Sequence, residues 1–223
     1  MHSIYSLDKT NRAALLEGVA WLSRFYWGPA AEISRDILPW INLRSFEALK
    51  PMVGYEPPNV LDELRAINTY FLHEDDIFQY LEQAYVRLFI NSRDGIAAPL
   101  YASCYETGGG PGKDAPLMGP PAVLMKERFE SKGLSLGDHI HEPPDHLSIE
   151  LEYLYFLLKR GWADDDAALK DEAVSFAGDV MLPWVVKFQE RLGTVETECR
   201  FYHLTTAILC TILRFIGGSS KPQ

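Results

Sequence analysis

Residues 144–158, Pro144-Asp145-His146-Leu147-Ser148-Ile149-Glu150-Leu151-Glu152-Tyr153-Leu154-Tyr155-Phe156-Leu157-Leu158, read as a helix meant for the interior. At about 100° per residue, Leu147, Leu151, Leu154 and Leu158 fall on one stripe. Ile149, Tyr153 and Phe156 cover much of the opposite side. A helix apolar on nearly every side belongs at the centre of a packed molecule. Its beginning is marked as clearly. Glu142 and Pro143 each precede a proline and are pushed towards extended backbone. Pro144 suits a first helical position, where its missing amide costs nothing. Asp145 then falls in the first turn, where the positive end of the helix dipole favours a carboxylate. Gly161 is expected to end the helix.

A central helix needs others around it, and the flanking sequence supplies them. Ala13, Leu16, Ala20 and Leu22 recur at helical spacing behind Asp8 and Thr10, and Gly28-Pro29 stops that run. A short helical piece is expected to end by Pro39, and another covers about 43–49. Val60, Leu61, Leu64, Ile67 and Phe71 share a face behind Pro57-Pro58-Asn59, and a further stripe begins at Asp75-Asp76. After a long glycine- and proline-rich stretch at 91–119, helical periodicity resumes over 121–131. One helix starts near Ala163 and must bend or restart at Pro183, whose ring cannot sit unstrained inside a helix. The last runs from about Thr194 to Phe215. No alternating strand pattern of useful length appears. The expectation is an all-α, helical-bundle-like single domain over 1–223, with about nine to ten helices. The loop 91–119 leaves two lobes, 1–90 and 120–223, as a variant of that plan.

Composition narrows the function. The 223 residues are 47% hydrophobic and 23% charged, which is a globular composition and excludes a wholly disordered chain. Thirty-one acidic against 21 basic side chains give a net charge of -10, the wrong sign for a general phosphate-backbone binder. Residues 138–172 hold ten acidic and three basic side chains, so -7 of that charge lies in one stretch. No nucleic acid and no membrane insertion are expected, since no segment approaches the roughly 20 apolar residues of a span. The first ten residues lack the apolar region of a signal peptide, which makes the cytoplasm the expected location. Cys104, Cys199 and Cys210, with no CxxC spacing, suggest neither a disulfide framework nor a zinc finger.

Two stretches imitate catalytic motifs and fail on detail. Gly108-Gly109-Gly110-Pro111-Gly112-Lys113 resembles a phosphate loop, but Thr107 stands where the first glycine belongs and Asp114 where Ser or Thr must follow the lysine. It reads as a connector. His141-Glu142-Pro143-Pro144-Asp145-His146 approaches a zinc-protease pattern with its histidines five apart instead of four. Five residues would turn the two rings about 140° apart on a helix. A metal- or nucleotide-dependent hydrolase using the His, Asp and Glu side chains here is therefore the weakest reading, and neither a metal nor a cofactor is expected.

The polar residues of the buried helix carry more information. Asp145, Ser148 and Glu152, at i, i+3 and i+7, share one strip, and His146 and Glu150, at i and i+4, can pair on another. Helix capping with internally satisfied polar pairs explains this arrangement. A polar notch that receives a ligand with cationic groups is the sharper reading, which residue physics alone favours less.

Glu142-Pro143-Pro144-Asp145-His146, running into the acidic and apolar sequence 147–154, resembles the signature of the TorD/DmsD family of redox-enzyme maturation chaperones. All four fixed positions of its E-P-x-D-H motif are present. Tyr85-Val86-Arg87-Leu88-Phe89 and Pro99-Leu100-Tyr101-Ala102-Ser103-Cys104-Tyr105 are similar to the family's segments in the same order. The resemblance implies an all-α chaperone that is not an enzyme. It implies a partner: the precursor of a molybdopterin-containing oxidoreductase, bound often through its twin-arginine signal peptide and held until the cofactor is inserted. Glu142, Pro143, Asp145 and His146 would inherit client recognition, with Ser148 and Glu152 beside them on the helix. Carboxylates suit that task, because they bind guanidinium through charge-assisted and often bidentate hydrogen bonds. The glycine-rich 108–112 and the N-terminal part have no counterpart in the pattern. An adaptor that binds a folded oxidoreductase subunit without reading a leader is the alternative, and exchange of the 91–119 loop between protomers would give a homo-oligomer instead of a monomer.

Overall fold

The computed structural model describes residues 3–29, 43–70, 74–91, 95–106, 118–137 and 140–219. Among them nine α-helical segments follow in order: α1 (Lys9–Trp27), α2 (Arg44–Val53), α3 (Val60–Tyr70), α4 (Glu74–Tyr85), α5 (Pro120–Ser131), α6 (Leu147–Ala163), α7 (Ala167–Ser175), α8 (Leu182–Gly193) and α9 (Phe201–Gly217). The described residues contain no β-strand, only an isolated antiparallel bridge between Tyr101 and His146. The fold is all-α. The short helix expected before Pro39 and the glycine-rich 108–112 lie outside the described residues.

Helix starts follow local chemistry. Asp8 caps α1, its Oδ1 accepting from the Asn11 amide at 2.8 Å. Asp166 caps α7 and accepts from the amides of Ala168 at 2.8 Å and Leu169 at 3.2 Å. A π-helical turn, Phe176–Met181, joins α7 to α8 in one continuous rod, and Pro183 sits in the first turn of the restarted α-helix. That position is where a proline costs no hydrogen bond. A second π turn, Val86–Ile90, extends α4.

The prediction that α6 is central holds. Leu147, Ile149, Leu151, Tyr153, Leu154, Leu157 and Leu158 are all buried. α1 packs along α6, α2 lies against α1, and α7 folds back on α6. α9 is the second interior helix, buried on nearly every side between the α7–α8 rod and α3. One hydrophobic cluster joins side chains from both sides of the 91–119 stretch.

Four helix ends differ from the sequence expectation, one of them the start expected near Ala163, which closes α6 while α7 begins at Ala167. α6 begins at Leu147, not Pro144, because His146 is held extended (φ -68°, ψ 137°) by its bridge to Tyr101. α6 also runs through Gly161 to Ala163. That glycine permits close approach of α7: a Cβ there would stand 3.2 Å from the Lys170 backbone nitrogen. Finally, α9 starts at Phe201, not near Thr194. The carbonyls of Glu196 and Glu198, which a helix would need, accept instead from Arg87 at 2.8 Å and Tyr80 at 2.9 Å.

Candidate functional site

The E-P-x-D-H segment approaches α6 beside a part of the long loop that is built in, not free. Ala98, Leu100, Ala102, Ser103 and Tyr105 are buried, and 102–105 form a short 3₁₀ helix where the sequence suggested no regular element. Two backbone hydrogen bonds clamp the segments together, Leu147 N to Leu100 O at 2.8 Å and Ala102 N to Asp145 O at 3.1 Å. Arg191 of α8 braces the same loop, donating from Nε to the Ala97 carbonyl at 2.6 Å and from Nη2 to the Ile96 carbonyl at 2.9 Å.

Asp145 is fully buried. Its Oδ2 accepts from the Ser103 amide at 2.8 Å and from the Ser103 hydroxyl, which itself accepts from Gly119 N at 3.1 Å. Asp145 Oδ1 has no hydrogen-bond partner among the described residues. Leaving a buried carboxylate oxygen unpaired is costly, so such a group calls for an explanation. Asp145 thus ties 103, 119 and 145 together and does not face outward.

His146 caps α6 through Nδ1, which accepts from the Ser148 amide at 3.2 Å. Its ring stacks on Trp27 with centroids 5.1 Å apart and planes at 19°, and meets the edge of Tyr101 at 5.2 Å. Burial in this slot lowers its pKa to about 4, so the ring is neutral at neutral pH. The expected His146–Glu150 side-chain pair is absent. Glu150 turns away, and its Oε2 accepts from Trp184 Nε1 at 2.9 Å. Glu150 is fully buried and its Oε1 lacks a partner among the described residues. Burial first, and then the nearby Asp145 charge, raise its pKa well above the ordinary carboxyl value.

Ser148 and Glu152 do share a face, and that face meets α1. Ser148 Oγ donates to the Ser23 carbonyl at 2.9 Å while Ser23 Oγ donates to the Ser148 carbonyl at 3.1 Å. Exposed Glu152 accepts from Trp27 Nε1 at 2.8 Å. Half-buried Glu142 accepts from the Tyr101 hydroxyl at 2.6 Å. Pro143 lends its carbonyl to the His146 amide at 3.0 Å and closes the turn. The outcome is a continuous row: Glu152 carboxylate, Trp27 indole, His146 imidazole, Tyr101 phenol, Glu142 carboxylate. It offers carboxylate acceptors at both ends and, between them, the half-buried rings of Trp27 and Tyr101 with His146 buried beside them, a surface for cations flanking a flat or apolar group.

The sequence brought Glu142, Asp145, His146, Ser148 and Glu152 to attention but not their partners. Tyr101 and Ser103 lie in the 99–105 segment whose similarity was visible without a role. Ser23 and Trp27 stand 125 residues from their partners on α6, and no local pattern marks them. Among the described residues no three His, Cys, Asp or Glu side chains converge on a metal-sized site, and no helix is long and apolar enough to cross a membrane.

A family model described as "Nitrate reductase delta subunit" matches residues 56–190, more than half of the chain and all of the row except Trp27. Chaperone protein TorD of Psychrobacter sp. (strain PRwf-1) is 29% identical over 212 residues, covering 93% of this chain and 89% of that protein. Chaperone protein TorD of Vibrio vulnificus (strain YJ016) is 25% identical over 200 residues, covering 85% and 86%. A solved structure from Archaeoglobus fulgidus, described as that of a redox enzyme maturation protein, covers 98% of both chains at 17% identity with a TM-score of 0.47.

Proposed function

The chain belongs to the nitrate reductase delta subunit family, the family of the TorD chaperones, and from that premise we propose that it is a redox-enzyme maturation chaperone that binds the twin-arginine leader of a molybdopterin-containing oxidoreductase precursor. In this reading it works in the cytoplasm as one all-α domain, holds the precursor for cofactor insertion and catalyses nothing itself. The observation that carries the reading is the row from Glu152 to Glu142. Exposed Glu152 and half-buried Glu142 stand at the ends of the row, held by hydrogen bonds to the half-buried Trp27 and Tyr101 rings, between which His146 is packed. A leader offers guanidinium groups next to an apolar run. Guanidinium pairs with carboxylate and stacks on aromatic faces, so one preorganised row meets both demands. Asp145, Ser148 and Pro143 serve by holding the row in place.

Isothermal titration with synthetic twin-arginine leaders tests this. A matching leader is expected to bind with micromolar or tighter affinity, about -8 kcal/mol. Glu142→Gln and Glu152→Gln together are expected to weaken it at least about tenfold, the loss of roughly one charge-assisted pair. Absence of binding to any leader, together with pull-downs that recover no oxidoreductase subunit, sinks the proposal. Equal binding of a precursor with and without its leader replaces leader reading with the adaptor alternative.

A further inference from the structure

A cavity of about 480 Å³, lined by Ala102 and Tyr105 of the 3₁₀ helix, opens between α5, the Phe176–Met181 π turn and α8. Glu150 forms part of its wall, although that carboxyl is fully shielded from solvent. Trp184 and Tyr105 form another part, their rings 5.6 Å apart and inclined by only 28°. Apolar residues continue outward from it: Leu124 lines the cavity and is 54% exposed, and its neighbour Val123 is 52% exposed. Nothing in the leader-binding row uses this space.

Its charges are unevenly engaged. Two basic groups line it, and both are tethered: Lys187 Nζ donates to the Tyr105 carbonyl at 3.1 Å, and Arg128 lies over the Phe176 ring, 3.7 Å from Glu172. Three acidic groups line it, Glu106 and Asp179 exposed at the rim and Glu150 within. Behind Glu150 stands Asp145, also fully buried, and the Asp145 charge acts on Glu150 more strongly than that of Arg128. Each of these two buried carboxyls has one oxygen without a partner. A buried acid with an unpartnered oxygen is an expensive arrangement, and a cation hydrogen-bonded to it offsets part of that cost.

We infer that this cavity is a second binding site, and that its ligand is a guanidinium group, laid against the Trp184 and Tyr105 rings and paired with Glu150. A planar cation packs against an aromatic wall better than a compact ammonium does. The proton balance is explicit. Burial raises the Glu150 pKa well above the ordinary carboxyl value, so pairing with the cation favours loss of its proton to solvent. Affinity is therefore expected to rise with pH. The inference does not depend on the leader-binding row, and either a polypeptide arginine or a free small guanidine could supply the group.

The full chain labelled with 5-fluorotryptophan provides the test, with the Trp184 fluorine signal assigned from W184F. N-acetyl-arginine amide is titrated against N-acetyl-citrulline amide, which has the same shape without the charge, and a short arginine peptide against its citrulline counterpart. The expected result is a saturable Trp184 shift with arginine and none with citrulline. A shift from the amide alone assigns a free guanidine as sufficient, and a shift from the peptide alone assigns a polypeptide source. E150Q, nearly isosteric and still able to accept from Trp184, is expected to weaken binding at least tenfold, while E142Q/E152Q leaves the Trp184 response intact. Equal response to citrulline, unchanged affinity in E150Q, no shift from either arginine probe, or affinity that falls as pH rises from 5.5 to 7.5 each overturns the inference. The last would mark a hydrogen-bond acceptor seated on the neutral acid.

Discussion

His146 shows how much a single residue's surroundings alter its behaviour. An exposed histidine titrates near 6.5; between Trp27 and Tyr101 its value falls to about 4, because burial disfavours the charged ring. The unfolded chain therefore takes up the proton first as pH drops. The stability due to the neutral ring is complete above about 6.5 and is lost progressively down to about 4. At about 1.4 kcal/mol per unit, the whole loss comes to about 3 kcal/mol. Urea unfolding of the wild type and of H146N, in which asparagine retains a helix cap without titrating, should reveal it. The stability advantage of the wild type is expected to shrink between pH 7.5 and pH 5. Glu150 pulls the opposite way, since its raised value favours the folded state at low pH, but it is common to both proteins and drops out of the difference. A gap that stays constant over that range would mean that His146 is not held neutral.

Among the glycine positions, the tightest approach lies where the α7–α8 rod crosses α9. A Cβ added at Gly217 would stand 2.5 Å from the Gly178 Cα, and one at Gly178 would stand 3.0 Å from the Gly217 Cα. G217A must push two backbones apart, at a cost of about 1–3 kcal/mol and a melting temperature lower by several degrees. G193A, where an added Cβ meets nothing within 4 Å, is the control and should melt close to the wild type. Equal melting of the two variants would contradict the crossing. The comparison also shows what a sequence conveys about elements. The break at Pro183, the Asp8 cap and the apolar stripes of α6 were legible because each depends on residues within a few positions of one another. The true starts of α6 and α9 were not, because distant partners set them: Tyr101 for His146, and Arg87 and Tyr80 for the 196–198 carbonyls. Gly161 read as a terminator, whereas it is a point of close contact with α7.

Over the whole molecule, the net charge of -10 takes on a finer meaning. Much of the acidity in 138–172 is engaged structurally. Asp164 pairs with Arg160, Asp165 with Lys170, Glu172 with Lys132, and Asp166 caps a helix. The carboxylates at the aromatic row are Glu142 and Glu152, and the surrounding acidity supplies a longer-range field. Leader binding should therefore weaken with salt, by about tenfold between 50 and 500 mM NaCl as the Debye length shortens. Titrations across that range check it, and an affinity indifferent to salt would point to apolar contacts alone. The five motif positions were readable from the sequence, but the site is a property of the folded whole, since α1 supplies Trp27 and Ser23 from 125 residues away. The bridge between Tyr101 and His146 bears on inheritance and engineering. Grafting 142–152 onto another helical scaffold would carry over the letters of the motif without the proposed site, because Asp145 would arrive without Ser103 and His146 without its clamp. The transplantable module is discontinuous: the last turns of α1, residues 98–105 and residues 142–152 must move together or not at all.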